Sequence, residues 1–291
     1  MMRIFLFLAT NIAIMVVVSI IFSLFGLNGI LASNGVDLDL NALLILSAVI
    51  GMTGSFISLA MSKWSAKRGM GVQIIEHPQN QTEQWLMDVV TRQARIVDID
   101  TPEVGIFQSV DPNAFATGMT KNSSLVAVST GLLQNMSPDE VEAVIGHEMT
   151  HVANGDMVTM ALMQGVVNTF VYFFATIIGH TVDRVIFKNE EGHGIAYFVT
   201  QMIAQIALSF LASMLVMWFS RYREFKADAG GAKLAGREKM INALRALARA
   251  HEPRELPDQF AALAINGGAV HKLFMSHPPL EERIAALQSQ R

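Results

Sequence analysis

Ala143-Val144-Ile145-Gly146-His147-Glu148-Met149-Thr150-His151 reads His-Glu-x-x-His on a helical pattern. On a helix His147 and His151 lie one above the other and can grip a single metal ion. Glu148 is turned about a quarter of a circle away, near enough to take a proton from a metal-bound water without being a ligand. In a chain of this composition the pattern arises by chance with odds on the order of one in a hundred. The plain alternative is two surface histidines on one helix face. Just upstream, Ser137-Pro138-Asp139-Glu140 is a helix start: Ser137 caps, Pro138 occupies the first turn and Glu140 completes a capping box.

The composition sets this motif in a membrane protein. Of 291 residues, 52% are hydrophobic and only 16% charged, where soluble chains carry about 25% charge. A net charge of −4 and a pI near 6.1 leave no basic surface for nucleic acid. The chain has no cysteine, which excludes disulfides and thiolate zinc sites and fits a reducing compartment. Any zinc must then be held by histidine and carboxylate.

Four apolar runs have spanning length, about 4–27, 42–61, 157–178 and 195–219. The first competes with a signal peptide, with Arg3 as its basic end and Leu31-Ala32-Ser33 as a weak cleavage site. Its apolar part exceeds the usual ~7–15 residues, which favours a retained span. Asp37 and Asp39 lie in the first loop, while Lys63, Lys67 and Arg68 follow the second span. Arg221, Arg223, Lys226 and Lys233 follow the fourth. Positive charge inside then places the N-terminus, residue 63 onward and the C-terminus in the cytoplasm. Gln164, Asn168, Gln201 and Gln205 within the runs read as bonds between helices.

The expected organisation is a membrane region over 1–61, a catalytic part over 62–156, a membrane hairpin over 157–219 and a second catalytic part over 220–291. Gln81 to Ile96 is an amphipathic helix with Trp85, Val89, Val90 and Ile96 apolar. Val104 to Phe107 and Ser124 to Val128 are β-type runs of a small sheet, bounded by turn residues at 111–113 and 121–123. Glu238 to Ala250 and Leu280 to Leu287 read as helices, the second opened by Ser276-His277-Pro278-Pro279.

A catalytic zinc wants three protein ligands and one open position. The metzincin pattern would put its third histidine at 157, where Met157 stands, so that class is excluded. His151 precedes the third span by five residues, and Glu224 follows the fourth by five. If those spans form an antiparallel hairpin, both emerge on one face, whereas His180 and His193 lie at the other. Glu224 is then the third ligand, and Asp228, one turn on, can hold a ligand histidine by its outer nitrogen. The same residues, Arg221 to Asp228, also read as a solvated charged collar beneath a membrane helix. Topology by itself leaves the two open.

The combination resembles the HtpX family of membrane zinc metalloproteases, relatives of the CAAX prenyl proteases. The similarity runs through Met1 to Phe7, Met61 to Trp64, Asn113 to Gly118, Ser129 to Glu140, His147 to Met160, Trp218 to Asp228 and Ser276 to Leu280. It implies a mainly α membrane protein, with four transmembrane helices plus a cytosolic zincin-like (gluzincin) domain that holds a small β-sheet. It implies one zinc ion on His147, His151 and Glu224, with Glu148 as general base. It also implies a bacterial inner membrane location and a stress-response role in quality control. The substrates would be unfolded or damaged membrane proteins, with other membrane quality-control proteases as candidate partners. By the same resemblance Asn113, Ala114, Phe115 and Ala116 form a substrate-binding edge strand, though their residues alone suggest an ordinary hairpin. His277 would support the reacting carbonyl, and reads equally well as a helix-start residue.

Two other classes compete. An intramembrane protease would bury the motif in a span, but Ser137, Asp139, Glu140 and Glu142 precede it and the apolar run begins only after Asp156. The motif then lies about 7–8 Å along the helix from the membrane boundary. A membrane scaffold or holdase with a structural zinc would want four closed ligands, where three converge. A prenyl-protease role is weaker, since nothing here selects a lipidated C-terminus.

Overall fold

The computed structural model describes residues 12, 15–20, 23, 24, 26, 29, 32, 33, 38–190, 192–250 and 277–289. The expected first span over 4–27 lies largely outside the described residues, although 15–20 are helical. Two compact units divide the chain: residues 1–58 with 159–216, and residues 59–158 with 217–291.

In the first unit the apolar runs are helices. Helix α1 covers Leu40–Gly69, α5 covers Asp156–Thr181 and continues as a π turn over Val182–Ile186, and α6 covers Ile195–Ala235. Among the described residues, these three are long and apolar enough to cross a membrane. Their outward apolar side chains, such as Ile45, Val49, Phe198, Ile206 and Phe210, are exposed, as lipid-facing residues are. Small residues let α1 and α5 approach closely: a methyl on Gly51 would lie 2.6 Å from the Thr169 amide nitrogen, and one on Gly165 2.6 Å from Met52 Sδ. Leu40, Leu43 and Leu44 bury against Phe173. Gln201 donates to Thr176 Oγ1 across the α5–α6 pair (3.0 Å), as expected. Gln164 differs, bonding Asn168 one turn along its own helix (2.8 Å). A residue four positions away on the same face is the nearer partner.

The second unit is a small sheet against helices. Strands β1 (Gln73–Ile74), β2 (Glu103–Phe107), β3 (Ala114–Thr120) and β4 (Ser123–Ser129) are ordered β1-β2-β4-β3, with β2 and β4 parallel and the other pairs antiparallel. Among the described residues strand β3 is therefore an edge, paired on one side only. Helix α2 (Gln81–Ile96) is capped by Asn80, whose side chain accepts from the Glu83 amide (2.9 Å). It buries Leu86, Val89, Val90 and Ala94, whereas Ile96 is exposed, because the core face follows the 86, 89/90, 93/94 spacing and 96 falls off it. Short α3 (Thr130–Asn135) leads into α4 (Pro138–Asn154), and α7 (Arg237–Ala250) and α8 (Leu280–Ser289) complete the unit. Val126, Val128, Ile145, Met149, Val152, Met240, Leu244 and Leu287 form one core, so the metal-motif helix is packed between sheet and C-terminal helices. Lys63 and Lys67, at the end of α1, both pair with Glu103 (2.9 and 2.5 Å).

Candidate active site

Helix α4 starts as its sequence dictates. The Ser137 side chain accepts from the Glu140 amide, and the Glu140 carboxylate accepts from the Ser137 amide (2.8 Å). It ends at Gly155, whose φ of 64° lies in the left-handed region that favours glycine. The break has a chemical consequence. On a continuous helix a residue five positions past His151 would be rotated about 140° away from it. Because the chain turns at Gly155 and restarts as α5, Asp156 Oδ2 instead meets His151 Nδ1 at 2.6 Å.

Helix α6 brings the remaining carboxylates. Its Gly230-Gly231 pair lies directly on α4. A methyl on Gly230 would sit 2.3 Å from Thr150 Cγ2, and one on Gly231 2.9 Å from the His147 amide nitrogen. Backbone-to-backbone contact of this kind puts Glu224 and Asp228, one turn apart, over the two histidines. Glu224 Oε2 is 3.5 Å from His147 Nε2, and its Oε1 is 3.3 Å from His151 Nε2. Asp228 Oδ1 meets His147 Nδ1 at 2.9 Å.

The donor set fits a metal ion. The two Nε2 atoms are 3.1 Å apart, and one ligand atom from each of His147, His151 and Glu224 lies within 4.8 Å of the others. Two ligands about 2.0–2.1 Å from a tetrahedral centre stand about 3.3–3.4 Å apart, so the observed separations bracket what a small ion requires. Each outer imidazole nitrogen is engaged by an aspartate, which leaves both Nε2 lone pairs for the ion.

Behind each aspartate stands an arginine. Arg283, buried on α8, forks onto Asp228 with Nε to Oδ2 at 2.8 Å and a terminal nitrogen to Oδ1 at 2.6 Å. Arg223 pairs with Asp156. The histidines are thus held by two parallel relays, Arg283–Asp228–His147 and Arg223–Asp156–His151. His277, largely exposed ahead of α8, places Nδ1 2.7 Å from Glu224 Oε2.

The site's charges follow from these contacts. Burial works to raise the Glu224 carboxyl, and hydrogen bonds from His147, His151 and His277 overcome it, holding it far below the usual carboxylate range. Burial would likewise raise Asp228, but Arg283 and then His147 keep it ionised. For His147, burial disfavours the imidazolium, and Asp228 and Glu224 outweigh burial to lift it above the usual imidazole range. Glu148 is the exception. Burial lifts its carboxyl above the usual range, with the two histidines only partly opposing. A carboxylate so placed is a stronger base than a solvated one.

His147, His151, Glu224, Asp228 and His277, all singled out in the sequence, converge here, with Glu148 beside them on α4. Ala114 to Ala116 form the start of β3, with Asn113 just ahead of it, packed on the α4 side of the sheet. Asp156, Arg223 and Arg283 were missed as members of the site. Asp156 had a signal in the Gly155 that precedes it, and Arg283 had none, since it joins Asp228 across 55 positions.

Comparison with known proteins agrees. The pattern of Peptidase family M48 matches residues 80–291. Protease HtpX of Thioalkalivibrio sulfidiphilus is 64% identical, covering 100% of both chains. Protease HtpX of Pseudoalteromonas atlantica is 62% identical, covering 99% of each. The crystal structure of S. mikatae Ste24p shares the fold at a TM-score of 0.62 and 17% identity, over 94% of this chain and 67% of that one. A family match that takes in both α4 and α6, with HtpX relatives spanning the full length, means that the chain belongs to peptidase family M48, as an integral membrane metalloprotease of the HtpX family.

Proposed function

We propose that this chain is a zinc endopeptidase of the bacterial inner membrane that hydrolyses misfolded or damaged membrane proteins on the cytosolic side. The observation that carries the reading is the convergence of His147, His151 and Glu224 beside the half-buried Glu148. A two-nitrogen, one-oxygen set with no thiolate suits zinc with an open fourth position. The cytosolic orientation, with four spans, rests on Lys63, Lys67 and Arg68 after one span and Arg221, Arg223, Lys226 and Lys233 after another.

Zinc, when bound, would lower the pKa of its water toward about 7 and polarise the scissile carbonyl. Glu148 accepts the water's proton as the peptide carbon is attacked, and later returns it to the leaving amine. Asp228 and Asp156 keep the imidazoles in one tautomer throughout. His277, whose Nδ1 donates to Glu224, can donate from Nε2 to the developing oxyanion as the imidazolium. The side of β3 left unpaired among the described residues, with Asn113 just ahead of it and Ala114 to Ala116 along it, takes the substrate as an added strand. Backbone pairing grips many sequences alike, which suits quality control better than dedicated processing.

The test is Glu148→Gln in the purified full chain, assayed on an unfolded protein such as casein. The variant keeps its metal and loses about 100-fold or more in turnover. Undiminished cleavage would remove Glu148 from the mechanism.

A further inference from the structure

A second pair of imidazoles closes the far end of the α5–α6 hairpin. His180 and His193 place their Nε2 atoms 3.1 Å apart, with ring centroids 4.6 Å apart and planes at 62°. The catalytic pair has the same 3.1 Å separation, with centroids at 4.7 Å and planes at 83°. His180 and His193 belong to the first compact unit and the catalytic residues to the second, so this pair takes no part in the catalytic centre.

The surroundings restrain the pair and set a carboxylate near it. The Tyr197 ring packs on both imidazoles, with centroids 4.7 Å from His180 and 4.3 Å from His193, which restrains their rotation. Asp183 is 1% exposed. Its Oδ2 accepts from Asn189 Nδ2 and the Gly194 amide, each at 3.0 Å, and the Tyr197 amide also approaches the carboxylate, while among the described residues Oδ1 has no partner at hydrogen-bond geometry. A methyl on Gly194 would lie 2.6 Å from that oxygen, so the carboxylate is pressed against the neighbour of His193, and it lies within electrostatic reach of His180. Arg184 also lies within electrostatic reach of His180, and its guanidinium donates to the carbonyls of Asn189 (2.7 Å) and Gly192 (3.5 Å). A buried carboxylate oxygen without a donor is costly unless something positive or protic comes to it.

We propose that His180 and His193 bind a second divalent transition-metal ion of the borderline class that imidazole prefers, such as Zn2+, Ni2+ or Cu2+. Two imidazole nitrogens supply the protein ligands at a spacing a tetrahedral or tetragonal ion accepts. Exposed His193 admits water to the remaining positions. Asp183 neutralises part of the charge and can accept from metal-bound water through Oδ1. Bound there, the ion ties the end of α5 to the start of α6 across their loop.

The 3.1 Å separation is also that of a plain N–H···N hydrogen bond, and the experiment separates the two. Full-length protein in detergent, its catalytic site already loaded with zinc, is equilibrated with micromolar Zn2+ and its bound metal counted. The expected result is two equivalents for the wild type and one for each of His180→Ala and His193→Ala, with casein cleavage unchanged within about twofold. Cu2+ added to the zinc-loaded wild type gives an electron paramagnetic signal coupled to two nitrogens, lost in both variants. A single equivalent of zinc and no two-nitrogen copper signal in the wild type would overturn the proposal. So would a second equivalent that persists in both variants.

Discussion

His147/His151 and His180/His193 are two imidazole pairs with the same 3.1 Å separation in one chain, and only the first sits in a built catalytic centre. The difference lies behind the rings. The first pair has an aspartate on each outer nitrogen, an arginine on each aspartate and Glu224 across the gap. The second has a tyrosine face and one flanking carboxylate, and among the described residues no third ligand atom joins it. Spacing gives a pair of nitrogens. A catalytic centre also needs a third ligand, fixed tautomers and a half-buried base beside it.

The largest way to break this distinction is to separate α4 from α6. Gly230→Ala puts a methyl 2.3 Å from Thr150 Cγ2, on a side chain whose hydroxyl is tied to the Gly146 carbonyl (2.8 Å). The expected outcome is a loss of about 1–3 kcal/mol in stability together with near-complete loss of cleavage, since Glu224 leaves the histidines. Thr150→Ala in the same chain removes the two nearest atoms and restores part of both, read by thermal unfolding and casein cleavage.

Smaller effects come from the outer carboxylates. Asp228→Asn and Asp156→Asn each weaken metal affinity by about 10–100-fold, measured by competition with a chelator. Equal affinities in both variants and the wild type would mean that the relays do not set the site apart.

Protonation sharpens the comparison further. In protein stripped of metal, His147 holds its proton above the usual imidazole range, because Asp228 and Glu224 outweigh burial. Metal must displace that proton. Apparent affinity therefore climbs with pH by up to about tenfold per unit until His147 is neutral, then levels. Rebinding measured between pH 6 and 8 shows the rise. An affinity that does not change over that window would contradict it.

Much of this was legible beforehand because it is local or periodic. The capping box at Ser137 and the pair His147 and His151 follow from helical spacing, whereas hairpin topology left Glu224 and Asp228 open against a charged collar and the family resemblance chose between them. The two-residue strand β1 was missed because it carries no pattern of its own. Asp156 was read only as the edge of an apolar run, since its contact with His151 depends on the left-handed Gly155. Arg283 reaches Asp228 through packing of α8, which no short-range pattern encodes. The Gly230-Gly231 pair was passed over because its role is seen only with Thr150 against it.

The central claim is that α6 delivers the third ligand, and metal analysis of Glu224→Ala tests it most directly. With Glu148→Gln measured alongside, the account predicts about one equivalent of zinc in the glutamine variant and little or none in Glu224→Ala. A full equivalent of metal retained by Glu224→Ala at the His147/His151 site would contradict it.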